Sequence, residues 1–233
     1  MLNHKSKLIQ KCSALLLALI MMFSLTSNAI AKEEDHIEIK FNDFNYTLYG
    51  YNSDKVYVEQ TERNGYEVAK IIDKESGELL EKVEKKPINS PGFKNNTFST
   101  SSSPYGTKSA FIFTRTQKIG SAEIYLDVTV ELYKSGSFSQ INDVKNYYLG
   151  ISNSIGTMSF EDKKVSVWPD NNKYPTAKLH YAYSGTLMSK VKKTYGGGVK
   201  AELLGAGFSL SDETESYLYY RKAFRNASVI TTY

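Results

Sequence analysis

At 233 residues, with 29 basic and 25 acidic side chains, the chain carries a formal charge of +4 and a single cysteine, Cys12. One cysteine excludes an internal disulfide framework and a multi-thiolate metal site. The lack of any long block of like charge gives no footprint for nucleic acid.

The first elements read as an export leader. Lys5, Lys7 and Lys11 precede an apolar run from Ala14 to Leu25, which is shorter than the ~20 residues a membrane-spanning helix needs. Ala29-Ile30-Ala31 then supplies the small-x-small pattern that a signal peptidase accepts, so cleavage is expected after Ala31, leaving Lys32 as the mature N-terminus. Cys12 leaves with this leader, and so do three lysines, so the mature chain is near neutral with 26 basic against 25 acidic residues. A secreted, extracellular, thiol-free protein of a Gram-positive-type cell is the expectation, stabilised by a packed core.

Residues 32–85 read as a small N-terminal β-meander. HIEIKF sets Ile37, Ile39 and Phe41 on one side at strand period, Asn42-Asp43 supplies a turn, and FNYTLYGY resumes the alternation. KVYVEQTER and YEVAKIID join through Asn64-Gly65, the dipeptide suited to a tight hairpin, and Ser76-Gly77 marks the next turn. ELLEKVEKK reads equally as a strand or a short helix. Residues 86–106, with Pro87, Pro91, Gly92, Pro104 and the Ser99–Ser103 run, read as a linker or long loop.

Residues 107–233 read as an antiparallel β-sandwich, making the chain all-β. In AEIYLDVTVELYK, Ile124, Leu126, Val128, Val130 and Leu132 alternate with Tyr125, Asp127, Thr129, Glu131 and Tyr133, as a strand with one buried face requires. Gly136 and Asn142-Asp143 read as punctuation, and further strands are expected at KVSVW, TAKLHYAY, around VKAELL, GFSLS, SYLYY and SVITTY. YGGGVKAELLGAGFSLS offers a glycine hinge before a stretch of small residues. Its alternation breaks at Leu203-Leu204, which favours a buried strand over one that inserts into a bilayer.

The chemistry-bearing inventory is thin. The mature chain has two histidines, His36 and His180, and lacks the common hydrolase, phosphate-loop and calcium-loop motifs. His180, opposite Leu179, Tyr181 and Tyr183 on its strand, reads as a polar-face residue rather than a base for a serine. Asp127 and Glu131 share a face, but four residues of strand put their Cα atoms about 13 Å apart, wider than a glycosidase pair unless the side chains lean together. All 18 tyrosines lie beyond the leader, clustered at Tyr46, Tyr49, Tyr51 and Tyr57, at Tyr181 and Tyr183, and at Tyr217, Tyr219 and Tyr220. Such rings serve either as core edges and cross-strand ladders or as binding surfaces. Trp168 reads as a core anchor, with an exposed platform as the other reading. No cofactor, metal site or catalytic residue is expected, and the binding residues are left open.

The GGGVKAELLGAGFSLS segment and the YLYYRKAF…SVITTY close, behind a strand meander and a polar middle, resemble the large geobacillin-type secreted bacteriocins of bacilli. The resemblance covers most of the mature chain, and Tyr195, Gly196, Phe208, Tyr219, Tyr220 and Arg221 carry its C-terminal texture. It implies a non-enzymatic, bacteriocin-like antimicrobial acting on the surface, envelope or wall of competing bacteria, with membrane contact left open. A secreted cell-wall or carbohydrate-binding sandwich is the alternative expectation.

Overall fold

The computed structural model describes residues 35–88, 106–120, 122–154, 157–194 and 197–233. The expected leader, the interior of the Pro/Ser-rich segment, Tyr195 and Gly196 lie outside these residues. Among the described residues the chain is all-β apart from a short helix and a 3₁₀ turn. Its strands are β1 (His36–Phe41), β2 (Phe44–Tyr49), β3 (Val56–Arg63), β4 (Tyr66–Asp73), β5 (Leu79–Pro87), β6 (Thr107–Ile119), β7 (Ala122–Ser135), β8 (Phe138–Asn153), β9 (Thr157–Pro169), β10 (Lys178–Lys192), β11 (Ser209–Glu213) and β12 (Tyr217–Thr232).

Two antiparallel sheets pack together as a β-sandwich. The first runs β1-β2-β12-β10-β9, with β11 beside the N-terminal half of β12. The second is a sequential meander, β3-β4-β5-β6-β7-β8. The N-terminal strands thus form the hairpins their turns predict, and they enter the sandwich itself: β2 pairs with β12, and β5 with β6. Lys86 and Pro87 complete β5, and the Ile88 N–H donates to the Ala110 carbonyl at 2.9 Å, so the start of the expected linker is tied to the second sheet.

Period-two patterning sets the core. Ile39, Phe44, Tyr46, Leu179 and Tyr181 from the first sheet meet Ile71, Val83, Phe113, Ile124 and Val130 from the second. Phe113 sits in an aromatic cluster, 5.0 Å from the Phe44 ring, 6.0 Å from Tyr46 and 6.3 Å from Phe41. Each such ring removes a large apolar area from water, which offsets the missing disulfides. Asn64 and Gly65 both adopt positive φ, 54° and 75°, as the tight β3–β4 turn requires.

Three expectations need correction. VKAELL is not a strand: it lies in helix α1 (Gly197–Gly205), where Val199 and Leu203, four apart, share the face that packs on the core. Ala, Glu, Leu and Lys are all good helix formers, and this short run favours a turn of helix over extension. SYLYY and SVITTY are parts of one continuous strand, β12, because nothing between them turns the chain. Asn142-Asp143 lies inside β8, at irregularities in its pairing with β7, so the polar pair bends a strand rather than ending it.

Candidate functional site

The end of β9 places three chemistry-bearing side chains together. Trp168 and His180 are direct partners in the β9–β10 register. In β10 the core-facing residues are Leu179, Tyr181 and Tyr183, so His180, and Trp168 opposite it, stand on the outer face. Their rings stack with centroids 5.6 Å apart and 12° between planes. Trp168 is 39% exposed and is therefore a surface platform, not the core anchor expected. The alternation of KVSVW contains the reason: Val165 and Val167 take the inward phase, leaving Trp168 in phase with Ser166 and Lys164.

After Pro169 the chain enters a 3₁₀ turn, Asp170–Asn172, in which Asn171 and Asn172 adopt φ of 56° and 53°, a region asparagine tolerates better than most residues. This turn folds Asp170 back toward β10, where its Oδ1 lies 2.5 Å from His180 Nε2. The carboxylate fixes the imidazole ring beneath the indole. A flat aromatic surface flanked by a carboxylate and an imidazole can stack on a ligand ring and exchange hydrogen bonds with its hydroxyls.

The other residues singled out by sequence have separate surroundings. Asp127 accepts from Thr114 Oγ1 at 2.5 Å, whereas Glu131 is held by Lys108 at 3.4 Å and Lys145 at 3.2 Å. Burial works against ionisation of Glu131, but Lys145 and Asn142 outweigh it and hold the carboxyl below its ordinary value. The two acids have different partners and do not converge. Tyr46, Tyr181, Tyr183 and Tyr220 are core residues, Tyr57 is exposed, and Tyr49, Tyr51, Tyr217 and Tyr219 are half-buried. Lys190 lies 4.0 Å from the Tyr217 ring centre. Phe208 is buried, and Arg221 forms a two-pronged pair with Glu161 at 2.7 and 3.1 Å.

Two buried ionic clusters escaped the sequence reading. Arg115, 1% exposed, meets the Glu81 carboxylate through Nε and, at 3.0 Å, through Nη2. Its Nη1 crosses to the other sheet, donating to the Ala227 carbonyl at 3.0 Å and Ser228 Oγ at 2.6 Å. Tyr51 donates to the same Glu81 at 2.5 Å. Burial alone would push the Arg115 proton off, but the Glu81 charge more than compensates and raises its affinity for that proton. Lys85 meets Glu67 at 2.6 Å and Asp43 at 3.5 Å under the rings of Phe44 and Phe111. The signal was present in ELLEKVEKK, where Glu81 and Lys85 are in phase with buried Val83.

An open hollow of about 400 Å³ at the β3–β4 turn is lined by Arg63, Asn64, Tyr66, Lys86 and Pro87. Its Tyr66 hydroxyl is committed to Glu84, and burial followed by that carboxylate pushes its pKa up to about 12. Among the described residues, no three His, Cys, Asp or Glu side chains converge as a metal ion would need, and no helix is long and apolar enough to cross a membrane. No protein-family model, curated protein or solved structure matches the chain.

Proposed function

We propose that the chain is an exported, non-enzymatic binding protein that acts as a bacteriocin-like antimicrobial at the surface of competing bacteria. The observation that carries the binding reading is the Trp168–His180–Asp170 platform, a partly exposed aromatic surface with polar groups at its edge. Its support is twofold. The leader motif and the C-terminal texture favour an exported antagonist. The most deeply buried acids, Glu81 and Glu67, are each neutralised by a cation, as structural ion pairs are.

The test is direct. Purified protein from Lys32 to Tyr233 should inhibit some Gram-positive strains, and Trp168→Ala should weaken that inhibition while leaving the fold intact. No inhibition across a broad panel of strains overturns the antimicrobial reading.

The platform also favours a second reading, a cell-wall or carbohydrate-binding module. Retention on purified peptidoglycan or polysaccharide without growth inhibition would select it.

A further inference from the structure

The strand register places three successive rows on the outer face of the first sheet. Trp168, His180 and Val229 are paired across β9, β10 and β12; Ser166, Ala182 and Ala227 form the next row; Lys164, Ser184 and Arg225 form the third. Residues two apart on a strand are about 6.6 Å apart, so the aromatic row and the cationic row stand about 13 Å from each other. Between them lie only a serine and two alanines, and the third row is low at Ser184, so the floor is bounded by the Trp168–His180 stack on one side and by the long side chains of Lys164 and Arg225 at the corners of the other. This shallow trough, about 13 Å between its bounding rows, is longer than a pyranose ring.

The charge on its two sides differs. Lys164 and Arg225 are exposed, and neither forms an ion pair with a described carboxylate. Glu161, one step further along the same face, is occupied by Arg221, and Asp170 by His180. Asp162, exposed in the adjoining bulge, is not within ion-pair distance of either cation. This side of the trough therefore presents two uncompensated cations on either flank of Ser184, while the other presents stacked rings with a carboxylate at the rim. Aromatic stacking suits the C–H face of a pyranose ring, and paired cations suit a carboxylate or phosphate borne on the same or the next unit.

We propose that this trough binds an anionic glycan, with Trp168, backed by His180, stacking on a sugar ring, Asp170 accepting from its hydroxyls, and Lys164 and Arg225 pairing with its acidic group. The proposal rests on the carbohydrate reading and gives it a location and a ligand class. The acidic group comes from a uronic-type sugar or from a phosphodiester-linked wall polymer, and the probes separate these sources.

The experiment uses the protein from Lys32 to Tyr233 and calorimetric titration with an oligogalacturonate, a polyol-phosphate wall polymer and a neutral N-acetylglucosamine oligomer, alongside sedimentation with isolated Gram-positive walls. Binding to one or both anionic probes is expected, weakened at least about tenfold by the Lys164→Glu, Arg225→Glu double variant and abolished by Trp168→Ala. Lys86→Glu, on the other sheet, should bind as the wild type does. All these side chains are on an outer face, and circular dichroism with urea unfolding checks that each variant folds. Equal binding of neutral and anionic oligomers, or an unaltered affinity in the double variant, overturns the trough. Wall sedimentation that none of the trough variants changes overturns the location while the carbohydrate reading stands. No binding to any glycan or wall overturns both.

Discussion

Trp168 and His180 face each other across β9 and β10 with their rings 5.6 Å apart and nearly parallel, and Asp170 holds the imidazole from the far side. Because Trp168 is the chain's lone tryptophan, its fluorescence reports this stack without interference. The folded protein should emit with a partly solvent-exposed spectrum that shifts little on unfolding. His180→Ala should raise the intensity by removing a stacked quencher, and should cost under about 1 kcal/mol because the site is on the surface. A strongly blue-shifted native emission would contradict the exposed placement.

Arg115 ties the two sheets together through Glu81 on one and Ala227 and Ser228 on the other. Arg115→Met leaves the Glu81 carboxylate buried without its cation, which should cost about 3–5 kcal/mol in urea unfolding. Arg115→Met combined with Glu81→Leu removes both charges and should recover much of that loss, since a buried pair contributes little over an apolar replacement. Additive losses in the double-mutant cycle would show that the two residues do not act as a pair.

These residues also mark the limits of sequence reading. Period-two alternation identified β1, β2 and β7 and their buried faces, because apolar and polar residues there alternate regularly, whereas β4 was located by the Asn64-Gly65 turn before it. It failed where the rule is broken for a structural reason. Glu81, Lys85 and Arg115 occupy core-facing positions, so a reading that assigns charges to solvent misplaces them. Trp168 is the reverse case, a large ring in the polar phase. Helix α1 was missed because its nine residues are too few to set a period against the surrounding strands. The trough has no local signature at all: its three rows come from β9, β10 and β12, and only the pairing register aligns them.

Asp43 lies between Lys134, at 2.7 Å, and Lys85. Burial works against its ionisation, but the two lysines prevail and hold its carboxyl below the ordinary value of 3.8. A carboxyl whose pKa falls on folding adds stability above its unfolded pKa and loses it as pH drops through the folded value. Stability should therefore decline below about pH 4, and Asp43→Asn should flatten that acid limb while lowering stability at neutral pH. Urea midpoints measured from pH 7 down to pH 2 check this, and an Asp43→Asn profile parallel to the wild type would remove Asp43 from the acid response.

Helix α1 packs on the core through Leu203, and its two adjacent leucines should respond unequally to truncation. Leu203 is fully buried, whereas its neighbour Leu204 is 54% exposed. The chain then doubles back through Gly207, at φ 82°, to bury Phe208, and Lys222 Nζ donates to the Ala206 carbonyl just past the helix end. Leu203→Ala opens a cavity under the helix and should cost about 2–5 kcal/mol. Leu204→Ala removes a side chain already half in water and should stay within about 0.5 kcal/mol of wild type. If this segment paired as a strand, the adjacent leucines would still point to opposite faces, so the contrast alone does not identify the helix. Ala201 supplies the discriminating measurement. Two residues before Leu203, it would share that residue's buried face in a strand, whereas in the helix it turns away and is exposed, so Ala201→Lys should leave urea unfolding nearly unchanged, and a large loss of stability would favour the strand. Gly198→Ala checks the first turn of the helix: φ is ordinary and open space surrounds the site, so alanine should stabilise it by up to about 1 kcal/mol. A loss of stability in Gly198→Ala would count against helix α1.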